Sequence, residues 1–453
     1  MVFVPMSYQP LSYGQHLARL IQAPAASLPS AHAEAGESPL RIALLGYRSH
    51  PHVGGQGIYL HYLSKALVDA GHQVDVISGP PYPELDGRVR LIQLPSLDLY
   101  AHPAPVRALR LRHLRSFTDT YEWWSKLSGA FGEPYCFGRR LLKYFKRHQP
   151  QYDIIHDNQS LCYGLLALQR RGYKVLATLH HPITRDRDLA LATATSKGHA
   201  WLIRRWYSFL GMQGRVVQQL DHLLTVSRQS VKDIEQAFGR SGADIRVIPN
   251  GVDTRIFKPL PAITRIPCRL MTTASSDQPL KGLSILLRAC AQLRTEFPAL
   301  HLLVIGKLKP GGSTEQELQA LGLNDSVQFV SGISTEQMVE EYARASIAVV
   351  PSLYEGFGLP AAEAMACGIP LVCSDGGALP EVTGEAARLV AAGDVDALVT
   401  ALRDLLTNPS ECTRLGQAGR EHILQQLSWD CVARQMENYY RELLRQGAAN
   451  AHH

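Results

Sequence analysis

At 453 residues, 45% hydrophobic and 19% charged, the chain has the size for two cores and the makeup of an ordinary globular protein. No apolar run reaches the ~18 residues of a membrane span, and residues 1–38, whose one Lys or Arg is Arg19, lack the apolar core of a signal peptide. The net charge of +6 conceals an asymmetry, +12 over residues 1–258 against −6 over residues 259–453, so the basic half is the one to face an anionic partner.

Ala, Ser and Pro crowd residues 23–39, and residues 1–38 therefore read as a flexible tail. The eight cysteines contain no C-x-x-C pair. That spacing suits neither a zinc site nor a disulfide scaffold, and it fits reduced, mostly buried thiols in a cytoplasmic protein.

The run Arg41–Gly46 is apolar and ends in glycine, which predicts a buried parallel strand. A loop with Gly54-Gly55-Gln56-Gly57 follows. Residues 58–70 then carry Leu60, Leu63, Ala66 and Leu67 at helical spacing, closed by Gly71. Residues 74–77 and 88–94 read as strands. This βαβ opening lacks G-x-G-x-x-G and a placed ribose acid, so it is a weak dinucleotide site. Residues 153–156, 175–179 and 222–226 read as further parallel strands. His180 and His181 stand directly after one of them, where ligands bind in open α/β sheets; a structural histidine is the competing reading.

Residues 105–148 interrupt this pattern with ten Lys/Arg against three acids, interleaved with aromatics. Residues 201–210 repeat the mixture. It suits an anionic membrane surface or an anionic polymer, nucleic acid not being expected, and equally suits helices packing aromatics inward beneath solvated arginines.

Pro249-Asn-Gly251 is turn chemistry, and residues 258–262 read as a Pro-rich linker. The α/β pattern then restarts with strands at 269–274, 301–305, 327–330 and 347–350. Helices are expected over 282–293, 335–345 and 429–445. The expected divisions are the tail 1–38, domains 39–258 and 259–428, and a closing segment 429–453, with a cleft between the two domains.

Residues 351–384 carry the densest chemistry. A strand feeds a glycine turn with Glu355, Gly356, Phe357 and Gly358. Leu359 and Pro360 lead into a short helix bearing Glu363, and a strand and a second glycine turn follow. Two carboxylates flank a helix N-terminus whose free amides favour an anion. Lys281, beside a glycine turn, supplies a point charge for a phosphate.

These residues resemble a known family. Glu355-Gly-Phe-Gly-Leu-Pro-Ala-Ala-Glu363 is similar to the E-x7-E signature of retaining GT-B glycosyltransferases of family four (group 1), and the likeness runs from Arg41 to Tyr440. Gly54-Gly55, Gly71-His72, Ile248-Pro-Asn-Gly-Val-Asp253, Gly376-Gly377 with Pro380-Glu381, and Trp429-Asp430 resemble its other motifs in order. The resemblance implies two Rossmann-like α/β/α domains with a C-terminal helix crossing back to the N-terminal domain. It implies transfer of a hexose from a UDP- or GDP-sugar to an acceptor hydroxyl, with retention and with no metal or cofactor.

By the same resemblance Glu355 holds the donor sugar and Glu363 the ribose, Lys281 meets the diphosphate, and His180 lies near the sugar. Amides of Phe357, Gly358, Leu359 and the Gly54–Gly55 loop complete the site. Family members carry an arginine five residues before the lysine; Ser276 stands there, a change worth about 1.5–3 kcal/mol unless another cation such as Lys307 replaces it. Two rivals remain at this point, a glycoside hydrolase and a silent sugar- or lipid-binding module. The basic aromatic stretches 105–148 and 201–210 point to a lipid-linked or anionic acceptor and a peripheral place on the inner membrane face.

Overall fold

The computed structural model describes residues 38–51, 55–101, 107–108, 110–274 and 276–450, with side chains through 446. The expected tail and Gly54 lie outside the described residues. The chain divides into two compact units, one of Pro249–Val432 and one of residues 38–248 with Ala433 onward.

The first unit is built on a seven-stranded sheet: β1 (Arg41–Gly46), β2 (Gln73–Ser78), β3 (Arg90–Gln93), β4 (Ile154–Asn158), β5 (Val175–Thr178), β6 (His222–Thr225) and β7 (Ile245–Val247). Their spatial order is β3-β2-β1-β4-β5-β6-β7, with every neighbouring pair parallel. Leu44 sits opposite Val76 on one side and His156 on the other. Both faces of the sheet are covered by helices, so the central strands are buried along their length. The helix Gly55–Asp69 buries Leu60, Leu63 and Leu67, and Gly71, at φ +95°, follows its end. Leu45, Ile155, Phe137, Leu165 and Val216 belong to the core beneath.

The second unit repeats the plan with β8 (Arg269–Thr273), β9 (His301–Ile305), β10 (Val327–Val330), β11 (Ile347–Val350), β12 (Leu371–Ser374) and β13 (Arg388–Val390), in the order β10-β9-β8-β11-β12-β13, again all parallel. Leu286, Leu302, Val349, Val372 and Leu402 are part of its core. Strand order reverses between β1 and β4 and between β8 and β11. At such a switch point the loops leave in opposite directions and open a crevice at the carboxyl ends of the strands.

Most of the sheet follows the pattern expected from sequence. Two edge strands, β7 and β13, and the helices Val395–Thr407 and Pro409–His422 were not expected. A three-residue edge strand is too short to show a period. β4 runs two residues past the predicted end at His156, because Asp157 and Asn158, though polar, are buried and hydrogen-bonded in place. All eight cysteines are unpaired, six of them buried.

Backbone packing at the β8/β11 switch point depends on missing side chains. Gly282 has φ +66°, and a Cβ there would lie 1.8 Å from the Pro351 carbonyl oxygen. That approach lets the Leu353 amide donate to the Leu280 carbonyl at 2.8 Å. From the other side, a Cβ on Gly376 would meet the Ser352 oxygen at 2.4 Å, and one on Gly377, at φ +70°, the Glu355 oxygen at 2.2 Å. The Ala378 amide donates to that Glu355 oxygen at 2.9 Å.

The final helix, Trp429–Asn450, belongs to the first unit from Ala433 onward and there buries Tyr440 completely, and the Tyr440 hydroxyl is bonded to His156 Nδ1 at 2.6 Å. His156 Nε2 is bonded to Thr178 Oγ1 at 2.6 Å, and burial holds this imidazole neutral, its pKa down at about 3. Tyr440→Phe leaves a buried ring nitrogen unpaired and is expected to cost about 1–3 kcal/mol, read by urea unfolding. Gly282→Ala is expected to cost at least about 1–2 kcal/mol from the left-handed backbone alone, the clash with Pro351 adding to it, and thermal melting of the purified variant checks this.

Candidate active site

The loop after β8 ends in a single 3-10 turn, Pro279–Lys281, and the turn after β11 carries Glu355. Held together by the glycine contacts, they place Lys281 Nζ 2.8 Å from Glu355 Oε1. Ser352 Oγ donates to the same oxygen at 2.8 Å, and Ser374 Oγ holds the Ser352 carbonyl. Glu355 is only 9% exposed. A carboxylate at that depth needs such partners, since burial without them is costly. Among the described residues no hydrogen bond or ion pair engages Glu355 Oε2, so one oxygen remains to accept from a ligand hydroxyl.

Gly358, at φ +103°, caps the eight-residue helix Leu359–Ala366, and Pro360 lies in its first turn. The amides of Phe357, Gly358 and Leu359 thus lie at a helix start, with its partial positive charge. Glu363 is one turn further in and 5% exposed. Burial, then the nearby Glu363, pushes the Tyr342 phenol well above its usual range. Lys281 and Glu355 thus form one ion pair, and Glu363 stands on the helix that follows the Glu355 turn.

Ser276 supplies no charge. Its hydroxyl donates to the Lys307 carbonyl and accepts from the Lys309 amide, both at 2.9 Å. It anchors a segment whose two lysines are both exposed. Asp277, at φ +57°, anchors the same loop to the next helix, accepting from Ser313 Oγ and from the Thr314 amide and hydroxyl. A short polar residue ties loops here where the family pattern has a cation.

His180, in the other unit, follows β5. Its ring Nε2 lies 2.8 Å from Asn158 Oδ1, its amide donates to Gln159 Oε1 at 2.9 Å, and its carbonyl accepts from Ser230 Oγ at 3.1 Å. The Tyr59 ring packs edge-on against it at 4.7 Å. Burial, with His181 beside it, lowers its pKa to about 3, so it is neutral at physiological pH. His181 is exposed, 3.9 Å from Asp186. Gly55 opens the helix Gly55–Asp69, where an added Cβ would meet open space.

The basic aromatic stretches resolve into two faces. Inside, Asp119 and Glu122 pair with Arg140, and Glu133 with Arg48 at 3.2 Å. Burial lifts Glu133 to about 7 against the pull of Arg48. Outside, Trp124 and Trp201 are 51% and 59% exposed, and most of the lysines and arginines point to water. The stretches adjoin: Arg205 donates to Ser128 Oγ at 2.8 Å and lies 5.1 Å over the Trp124 ring. Among the described residues, no helix is long and apolar enough to cross a membrane, and no group of three or more His, Cys, Asp or Glu is placed to hold a metal.

Sequence reasoning missed Ser352, Ser374, Asn158 and Gln159. The available signal was a polar residue ending a buried strand at a switch point; ending β4 at His156 hid two of them.

Residues 53–256 match the family described as Glycosyltransferase Family 4, and residues 269–422 match Glycosyl transferases group 1. An MMP alpha-(1->4)-mannosyltransferase of Mycolicibacterium hassiacum is 45% identical over 90% of this chain and all of its own. A D-inositol 3-phosphate glycosyltransferase of Catenulispora acidiphila is 28% identical over 89% of this chain and 95% of its own. Among solved structures, sucrose-phosphate synthase from Thermosynechococcus elongatus superposes with a TM-score of 0.62 at 26% identity, covering 89% of this chain and 99% of that one. Anabaena Alr3699/HepE in complex with UDP-glucose superposes with a TM-score of 0.60 at 16% identity, covering 89% and 100%. With two family matches in chain order and a relative at 45% identity along nine-tenths of its length, the chain belongs to the group 1 family of GT-B glycosyltransferases.

Proposed function

We propose that this enzyme is a retaining α-mannosyltransferase, moving mannose from a nucleotide-diphosphate mannose to a hydroxyl of a glycan acceptor. One observation carries the reading: the Lys281–Glu355–Ser352 cluster lies at the β8/β11 switch point of a chain 45% identical to an enzyme named for α-(1→4)-mannosyl transfer. Glu355 Oε2 accepts from a sugar hydroxyl, Lys281 and the helix-start amides meet the diphosphate, and Glu363 accepts from the ribose. His180, a neutral ring, accepts from a hydroxyl of the reacting sugars. In the transfer, the bond from the anomeric carbon to the diphosphate breaks while the acceptor oxygen bonds to that carbon on the same face. The acceptor's proton passes to the departing diphosphate oxygen. Charge growing on that leaving group is met by Lys281 and the amides, preorganised dipoles of the kind that dominate such catalysis. The mechanism calls on no metal or cofactor.

A panel of UDP- and GDP-linked hexoses scored by thermal shift tests the donor, because a ligand of the native state raises its stability by mass action. One nucleotide mannose is expected to stabilise most, and the anomeric proton of the product, read by NMR, to show the α configuration. A β product or no preference among donors overturns the reading. Lys281→Ala is expected to lower kcat/KM by about 100-fold or more, and Glu355→Ala to do likewise. Unchanged transfer in both removes the assigned site.

The outward cations and exposed tryptophans support a further element of the reading, a peripheral seat on an anionic membrane face on the cytoplasmic side, where a lipid-linked acceptor is presented. Inward pairing of Asp119, Glu122 and Glu133 leaves the outer cations uncompensated by them. Co-sedimentation with phosphatidylglycerol vesicles is expected at low salt and to weaken by 0.5 M salt, where the Debye length is about 4 Å. No sedimentation at low salt favours a soluble acceptor.

A further inference from the structure

The β1/β4 switch point holds side chains around His180 to which the transfer chemistry above gives no role. Asn158, the last residue of β4, is buried, and its side-chain amide is fixed at both ends. Its Nδ2 donates to the Gln56 carbonyl at 2.9 Å, at the start of the helix Gly55–Asp69. That contact settles which end of the amide is oxygen: a carbonyl can only accept, so nitrogen faces Gln56 and Oδ1 faces His180. Oδ1 lies 2.8 Å from His180 Nε2 and likewise only accepts. The proton of the neutral ring is therefore on Nε2, and Nδ1 carries the lone pair.

Gln159, the next residue, holds the adjoining backbone. At φ +56°, it points its side chain along the β5 exit, where Oε1 accepts from the His180 amide and Nε2 donates to the His181 carbonyl, both at 2.9 Å. Ser230 holds the His180 carbonyl. The amide, the carbonyl and Nε2 of His180 are thus all engaged. Among the described residues no hydrogen bond engages Nδ1.

We propose that Asn158 is a positioning residue for glycosyl transfer: by accepting from Nε2 it locks His180 in the tautomer whose Nδ1 is left to accept a hydroxyl of the reacting sugars, while Gln159 clamps the backbone beneath it. This rests on the reading of His180 given above. It also makes the start of the helix Gly55–Asp69 and the histidine one mechanical unit, joined through a single amide.

The test uses the full chain labelled with 15N-histidine, with the His180 signals identified by their loss in His180→Ala. Two-bond 15N–1H correlations report the tautomer without any substrate. The wild type is expected to show the Nε2–H form. Asn158→Asp, which keeps an acceptor opposite Nε2, is expected to keep it. Asn158→Ala is expected to show a mixture of tautomers and to lower kcat by about tenfold or more, with the donor KM changed less than about threefold, as for a misplaced reacting group. A wild-type Nδ1–H form, or an unaltered tautomer and kcat in Asn158→Ala, overturns the anchor. Should Asn158→Ala fail to fold, the wild-type and Asn158→Asp spectra still decide the tautomer. Full activity in His180→Ala overturns the role of His180 itself, an outcome distinct from loss of the anchor.

Discussion

Three strand-end turns of the second unit meet backbone to backbone around Glu355, and what permits it is the absence of a Cβ at Gly282, Gly376 and Gly377. The contacts are too close for any side chain, so the turns can approach only along these three positions. Everything chemical in that unit follows from the approach. It brings Lys281 from one turn to Glu355 on another, and sets Ser352 and Ser374 beneath them. The parallel bridge between Glu355 and Gly377 extends the β-pairing beyond the formal strand ends. Because the turns bearing Lys281, Ser352 and Glu355 are fixed backbone to backbone, the two side chains that donate to the carboxylate hold it in place before any ligand arrives, which is what electrostatic preorganisation requires.

The first unit solves the same problem by other means. Its sheet has the same reversal of strand order, but its strand-end histidine is held mainly by side chains. Asn158 reaches the ring, Gln159 and Ser230 the backbone, and behind them His156 joins Thr178 to Tyr440 of the final helix. Buried polar networks of this type are the more rigid the more of their members are satisfied. Here the low dielectric that makes them strong also keeps both imidazoles neutral.

The two sheets and their order of elements were legible because parallel strands buried on both faces read as unbroken apolar runs, and because Gly71 marked a helix end plainly. Lys281 and Glu355 stood out as charged residues beside glycine turns, and the structure pairs them. What the glycines were for was not legible: a sequence shows that Gly376 and Gly377 are adjacent, but not that the Glu355 backbone passes within reach of a missing Cβ. Asn158 was hidden because strand prediction stops at polar residues, whereas this one is buried and spends its polarity on Gln56 and His180. Basic aromatic stretches divided in a way composition cannot show, since Arg140 turns inward to Asp119 and Glu122 while most of its basic neighbours turn out.

The ion pair between Lys281 and Glu355 carries a consequence for selectivity on the proposed reading. The two charges compensate each other. A bare phosphate that drew the lysine away would leave the buried glutamate side chain with Ser352 as its one hydrogen-bond partner among the described residues, a costly state for a carboxylate. A sugar diphosphate brings hydroxyls for the carboxylate together with oxygens for the ammonium. On that reading the site would work as a coincidence detector, favouring an anion that comes with a sugar attached.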